Sequence, residues 1–274
     1  IENMKYKKYH LKRLLNELQN LYKGSDSSSG KYNYVNIIEE AISNEEIFNN
    51  FRSDQRYGDI LEHISDDLAR EYYFKLREEL SHKDIVSYCE SVKNIGSPSL
   101  KYFEKDELNP TTLRYINVAL DLKKKFPNGS FENIIELGAG FGGQALILDK
   151  IYKIKNYTFI DLPQVNKLIE KFINLHKYRF EAHFSEIEIF DSSLKYDLFL
   201  SNYAFSELPR NLQIEAANKI ISKSNYGYMI VNNFNNLSFR YLSKKGYSKT
   251  IKNMSIHEEI PESYIFNKLL TFRS

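Results

Sequence analysis

The chain has 274 residues, 38 Lys and Arg against 36 Asp and Glu for a net charge of +2, and 42% hydrophobic residues. That length holds one core of ordinary size plus an added segment, and the near-neutral balance excludes the basic stripe of a nucleic-acid binder. One cysteine, Cys89, excludes an internal disulfide framework and fits a reducing cytosol; no apolar run spans a bilayer and residues 1–10 lack a signal peptide's apolar centre, so a cytoplasmic protein is expected.

Before residue 110, apolar residues recur at helical spacing. Leu11, Leu14, Leu15, Leu18, Leu21 and Tyr22 form one stripe, narrow enough to pack on its own domain or to pair with a second subunit, which makes a homodimer an expected assembly. The polar stretch over 24–30 reads as a loop that ends this helix. Further helical patterns cover 35–50, 58–80 and 81–94, while Gly96, Pro98 and Pro110 predict irregular chain over 95–110. Residues 111–126 are helical again, stopped by Pro127-Asn128-Gly129. The chain therefore divides into an N-terminal helical segment, 1–110, for substrate binding or oligomerisation, and a core over 111–274.

From residue 131 strand and helix patterns alternate, which argues for a parallel sheet with right-handed crossovers. Strands are predicted at 132–137, 157–161, 179–184, 196–202, 226–232, 246–253 and 264–272. The connection His257-Glu258-Glu259-Ile260-Pro261 is too short for a helical crossover, so the last two strands should pair antiparallel. The expected fold class is α/β: a Rossmann-like sheet of seven strands, mostly parallel with an antiparallel last strand, plus the N-terminal helices.

The first strand, Asn133-Ile134-Ile135-Glu136-Leu137, runs into Gly138, Ala139, Gly140, Gly142 and Gly143. The glycines let the backbone turn sharply and approach a ligand without Cβ interference, and the helix beginning near Gln144 aims its free N–H groups at that ligand. Gly138-x-Gly140-x-x-Gly143 fits a dinucleotide fingerprint, with Asp161 at the separation of a ribose-binding acid, so NAD stays open on spacing. Glu136 adds a second clue. A carboxylate there opposes a pyrophosphate and suits a ligand bearing an ammonium and a sulfonium, which is S-adenosylmethionine.

Three blocks in this order, Glu136 to Gly143, Phe159-Ile160-Asp161-Leu162-Pro163, and Tyr196 to Leu208 with its Ser201-Asn202-Tyr203-Ala204-Phe205-Ser206-Glu207-Leu208, resemble a class I S-adenosylmethionine-dependent methyltransferase. More narrowly, the chain resembles the bacterial sugar O-methyltransferase family over roughly residues 95 to 235, including Thr111-Thr112-Leu113-Arg114-Tyr115. The resemblance implies a cytoplasmic enzyme that methylates a sugar hydroxyl, with a nucleotide-activated sugar for surface polysaccharide biosynthesis as the small-molecule partner. It implies that Asp161 and Leu162 meet the ribose, that Phe184 and Ser185 border the adenine, and that Asn202 and Tyr203 border the methionyl part.

A sugar hydroxyl is a weak acid, so a carboxylate or imidazole within reach must take its proton. Glu207 is the first candidate, although it would also serve as a helix cap or a hydroxyl ligand; His183 is the second, and His257 ranks below both. Ser206, Asn232, Asn233 and Arg114 are candidates for holding the acceptor, since amides and hydroxyls donate and accept while Arg52, Arg114, Arg210 and Arg240 suit a diphosphate. Only Glu207 stands out as a metal-ligating carboxylate at a strand end, so no metal is expected. An NAD-dependent sugar oxidoreductase and a non-catalytic cofactor-binding scaffold remain as alternatives.

Overall fold

The computed structural model describes residues 28–190, 193–232, 242–264 and 266–274. The Leu11 to Tyr22 stripe, Asn233 and Arg240 lie outside the described residues. The N-terminal region is a set of short helices: α1 (Ser28–Ser43), α2 (Glu45–Phe48), α3 (Gln55–Leu61), α4 (Asp66–Arg77) and α5 (His82–Glu90). Side chains set their starts. Asn44, Asp54, Ser65 and Ser81 each accept a backbone N–H from the first turn of the helix that follows, which satisfies an otherwise orphaned donor. The pattern over 58–80 is therefore two helices, because Ser65 caps a new one. The expected loop over 24–30 gives way to helix at Ser28, on the same helix whose Ile37, Ile38 and Ala41 are fully buried.

Residues 95–110 are more regular than expected. They hold a hairpin, β1 (Lys101–Phe103) and β2 (Asp106–Leu108), with Phe103 and Leu108 turned inward and Tyr102 and Glu107 outward. Three-residue strands carry too little alternation to be read from sequence. Phe103 stacks on Tyr73 at 4.6 Å. Helix α6 (Pro110–Lys125) follows, capped by Asn109, whose Oδ1 accepts from Thr112 N at 2.9 Å.

The core is a sheet of seven strands. In chain order they are β3 (Asn133–Leu137), β4 (Asn156–Ile160), β5 (Glu181–Ser185), β6 (Tyr196–Asn202), β7 (Ser224–Val231), β8 (Met254–Glu258) and β9 (Lys268–Arg273). Their spatial order is β5-β4-β3-β6-β7-β9-β8. Strands β3 to β7 are parallel, and β9 runs antiparallel to both β7 and β8. The intervening helices are α7 (Gly143–Ile151), α8 (Pro163–Ile173), α9 (Ala204–Glu207), α10 (Arg210–Lys219) and α11 (Lys244–Thr250). Strand order reverses between β3 and β6, so the carboxyl ends of these strands frame the crevice where such sheets bind ligands.

Two expectations at the C-terminal end fail. Residues 246–253 are mostly helix α11, not strand, because Tyr247 and Ile251 stand one turn apart and bury together, and Ser243 caps the helix start. His257 and Glu258 accordingly belong to β8, and the connection to β9 begins at Glu259. The antiparallel pairing survives because it depends on the absence of a crossover helix between β8 and β9.

The sheet is covered on both faces. Ile134, Tyr157, Phe159, Leu198 and Tyr228 share one hydrophobic cluster with Ile37, Phe48, Tyr57 and Leu76 of the N-terminal helices. Ile135, Ile160, Phe199, Met229 and Leu270 form a second cluster with α9, α10 and α11. Among the described residues no helix is long and apolar enough to cross a membrane. Cys89 is packed into the first cluster, and burial pushes its thiol up to about 12.

A buried ion pair inside the N-terminal segment is tied through Asn109 and Thr111 to the start of α6. Arg52 is 1% exposed; its Nε donates to Glu62 Oε1 at 2.5 Å and its Nη2 to Asn109 Oδ1 at 3.0 Å. Glu62 also accepts from Asn109 Nδ2 and Thr111 Oγ1, so Arg52 is committed internally and not free for a diphosphate. Removing one partner of such a pair strands the other charge in a low-dielectric interior. Arg52→Met is expected to lower the unfolding free energy by about 3 to 5 kcal/mol, read as a lower urea midpoint with unchanged slope.

Candidate functional site

The glycine loop leaves β3 through three left-handed residues, Gly138 (φ 78°), Gly140 (φ 62°) and Gly142 (φ 87°), a backbone that side-chain-bearing residues rarely adopt. Gly138 N donates to Ile160 O at 3.0 Å, which ties the turn to the end of β4. Gly143 then opens α7 with Gly142 at the cap. Gly138 also has no room for a side chain: a Cβ there would lie 2.0 Å from that of Ala204.

A carboxyl group stands on each side of this loop. Glu136 is 1% exposed and accepts a hydrogen bond from the Tyr157 hydroxyl at 2.7 Å. Burial dominates, raising its carboxyl to about 8 despite that bond, and the charge of Asp161 adds to the rise. Asp161 ends β4 and accepts from Leu162 N at 2.9 Å. Burial raises it to about 7, while the backbone N–H groups of Leu162, Ala139 and Gly140 pull the other way. Asp161 is thus turned to the glycine loop. It does not cap α8, whose N-cap, Leu162, makes no side-chain bond.

Across the crevice, β6 ends at Asn202. Its Nδ2 donates to Gln144 Oε1 at 3.3 Å, whereas its Oδ1 is buried with no hydrogen-bond partner. Gln144 in turn is pinned by Tyr115 O at 3.1 Å. Tyr203 follows at φ 71°, a strained value for a bulky residue. Its hydroxyl bonds Glu259 Oε1 and lies 3.3 Å from Ser263 Oγ. Ser206 Oγ donates to Tyr203 O at 2.6 Å and accepts from Asn232 N at 2.9 Å, so it braces this turn. Glu207 is exposed and accepts from Asn232 Nδ2 at 2.8 Å.

Other candidates take different places. Phe184 stacks on Phe159 at 5.2 Å on the Glu136 face of the sheet, and Ser185 O accepts from Asp161 N and from Asn166 Nδ2 at the end of β5. His183 lies apart from the crevice: it pairs in register with Thr158, and its ring reaches back toward Asn156 at 3.3 Å, at the start of β4. His257 bonds Thr271 Oγ1 at 2.9 Å across the β8–β9 ladder. Arg114 is 7% exposed between the rings of Tyr203 and Tyr115, at 5.5 and 5.7 Å, and its Nε has no hydrogen-bond partner. Arg210 opens α10 at an exposed position.

Three groups were not anticipated. Tyr34 of α1 stacks on Tyr57 at 5.8 Å, and after burial the charges of Asp161, Tyr115 and Glu207 push its hydroxyl upward. Leu61 of α3 lies against Gly140, 3.2 Å from where a Cβ would be, and Arg52 sits 4.1 Å over the ring of Phe141. Glu259 is 5% exposed beside Tyr203. In a chain with 21 tyrosines and 36 acids, no local spacing marks Tyr34 or Glu259.

The cradle presents two carboxyls that burial brings close to neutral pH, so that an incoming donor ionises them, and an amide oxygen with no partner among the described residues. Once ionised, that set suits a ligand offering an ammonium and vicinal hydroxyls, and it opposes an anion. Among the described residues no three His, Cys, Asp or Glu side chains converge as a metal site. Gly138→Ala is expected to cost about 1 to 3 kcal/mol through the clash and the forced left-handed backbone. The double variant with Ala204→Gly should recover only part of that in chemical unfolding, because the φ penalty stays.

No family profile and no curated protein matches the sequence. Solved structures do resemble it in fold. EvdMO1 is 16% identical with a TM-score of 0.47, over 71% of this chain and 48% of its own, so the chain spans about half of that protein. The N-methyltransferase NodS from Bradyrhizobium japonicum WM9 is 14% identical with a TM-score of 0.46, over 59% of this chain and 94% of its own. An S-adenosylmethionine-dependent methyltransferase from Clostridium acetobutylicum ATCC 824 is 11% identical with a TM-score of 0.45, over 76% of this chain and 96% of its own.

Proposed function

We propose that this chain is an S-adenosylmethionine-dependent O-methyltransferase whose acceptor is a sugar hydroxyl, with a nucleotide-activated sugar for surface polysaccharide as the substrate class. The observation that carries the cofactor is the pair of carboxyls that burial brings close to neutral pH, Glu136 and Asp161, on either side of a left-handed glycine loop. A pyrophosphate on the loop would meet Glu136, which weighs against the NAD reading, whereas Asp161 would serve the ribose of either ligand. The sugar and its activation rest on the likeness of the Asp161 and Asn202 to Glu207 blocks to sugar O-methyltransferases.

When bound, the cofactor supplies a methyl group on a positively charged sulfur. The chain's own residues do the rest. Glu136 and the free Oδ1 of Asn202 would hold the amino-acid end, Asp161 the ribose hydroxyls, and Phe184 with Ser185 the adenine. Arg114, Ser206, Asn232 and Asn233 are the proposed acceptor side. The N-terminal segment, which sets Leu61 against the loop, would bound the approach of the acceptor, and in-line positioning supplies much of the acceleration. Calorimetry with S-adenosylhomocysteine against NAD tests the cofactor, and mass spectrometry of nucleotide sugars incubated with S-adenosylmethionine tests the transfer. Binding of NAD in place of S-adenosylhomocysteine would sink the reading, and tight cofactor binding without turnover of any acceptor would favour a scaffold.

The pH dependence has a definite sign. Glu136 and Asp161 keep protons in the folded, unliganded protein at pH values where the unfolded chain has lost them. Their contribution to stability therefore falls as pH rises from about 5 to 8. A hydrogen-bond donor needs them ionised, so its affinity climbs across the same window. S-adenosylhomocysteine should raise Tm more at pH 8 than at pH 6, and Asp161→Asn should reduce that difference; equal shifts at both pH values would contradict the assignment.

A further inference from the structure

Resting on that reading, we propose that Glu259, acting through the Tyr203 hydroxyl, is the proton acceptor of the methyl transfer. Glu259 arrives from the far side of the sheet, just past the end of β8, and meets Tyr203 at the end of β6. Its Oε1 takes the Tyr203 hydroxyl, and its Oε2 takes Ser263 Oγ at 2.6 Å and Ser263 N at 3.2 Å. Asn267 Nδ2 donates to Ser263 Oγ at 3.0 Å, so the carboxylate is oriented by a second layer of bonds.

The surroundings suit a proton acceptor. Glu259 and Arg114 line one pocket with Tyr72, Asp121, Tyr228 and Ile260. Asp121 is committed to the Tyr228 hydroxyl at 3.0 Å, which leaves Glu259 as the pocket's other carboxylate. Burial raises Glu259 above the usual carboxylate range, against its bonds from Ser263 and Tyr203 and the charge of Arg114. Arg114 and the hydroxyls of Tyr203 and Ser263 meet it, Tyr72, Asp121 and Tyr228 share its pocket, and Lys75 Nζ donates to the neighbouring Ile260 O. Arg114, with its unpaired Nε beside the Tyr203 ring, stabilises negative charge passing through that hydroxyl. Glu207, in contrast, is exposed and bonded to Asn232.

The step balances. The acceptor O–H bond breaks and its oxygen pair forms the bond to the methyl carbon, while the carbon–sulfur pair leaves with sulfur. The proton passes to Tyr203 Oη as Tyr203 hands its own to Glu259 Oε1. One anionic carboxylate and one sulfonium become a neutral acid and a neutral thioether, so no charge is left buried.

Two measurements test the assignment. Infrared difference titration of wild type minus Glu259→Gln, with S-adenosylhomocysteine bound, should isolate one carboxyl that protonates above the ordinary range; a difference with no such carboxyl overturns the proposal. With S-adenosylmethionine and the nucleotide sugar that gains a methyl in the panel, Glu259→Gln should lower kcat at least 100-fold, leaving the Kd for S-adenosylhomocysteine within twofold. Tyr203→Phe, which keeps the ring, should lower kcat about tenfold and shift the acid limb of the pH profile. A loss under threefold for Glu259→Gln, or a larger loss for Glu207→Gln, overturns it. Failure of wild type to bind S-adenosylhomocysteine would instead defeat the cofactor reading.

Discussion

One fully buried carboxyl, Glu136, and one half-buried carboxyl, Asp161, flank a loop that brings no cation to meet them among the described residues. Burying a carboxyl without a paired charge is costly, and the protein meets the cost by keeping Glu136 and Asp161 protonated well above their ordinary range. The rest of the crevice follows from this constraint. The Tyr157 hydroxyl and the loop N–H groups limit the penalty, three left-handed glycines let those N–H groups turn toward Asp161, and the N-terminal helices keep solvent from relieving it. The cradle is folded for a guest that brings donors and positive charge.

The N-terminal helices and the sheet behave as one packed body on this face. Arg52 bonds Glu62 and Asn109 on one side and lies over Phe141 on the other, so an arginine in the helical segment touches the glycine loop itself. Leu61 continues the contact at Gly140. A substitution in the helices is thereby felt at the loop through packing and without contact with any ligand.

What could be read from sequence was local. The strand, the glycines, Glu136 and Asp161 follow one another within a short span, and each has a backbone reason to be where it is. The antiparallel β9 was legible because the gap between the last two strands left no space for a crossover helix. Helix α11 was misread because Tyr247 and Ile251 bury at a one-turn spacing inside a stretch whose composition suits a strand. The hairpin at 101–108 was too short to show its alternation. Glu259 and Tyr34 were invisible for a different reason: each takes its place only through tertiary folding, one in the connection past β8 that meets Tyr203 and the other on α1, which packs on α8 and α3.

The reversed strand β9 also divides the crevice by ancestry of its walls. One half is built on β3 and β4, where left-handed glycines, the close approach of Ala204 to Gly138 and the carboxyls of Glu136 and Asp161 leave little freedom. The opposite wall hangs on the β8–β9 connection, which joins neither β3 nor β4 by strand pairing. Sequence drift on that wall does not disturb the loop geometry. On the proposed reading, that connection can change its contacts to an acceptor while the glycine loop keeps its form.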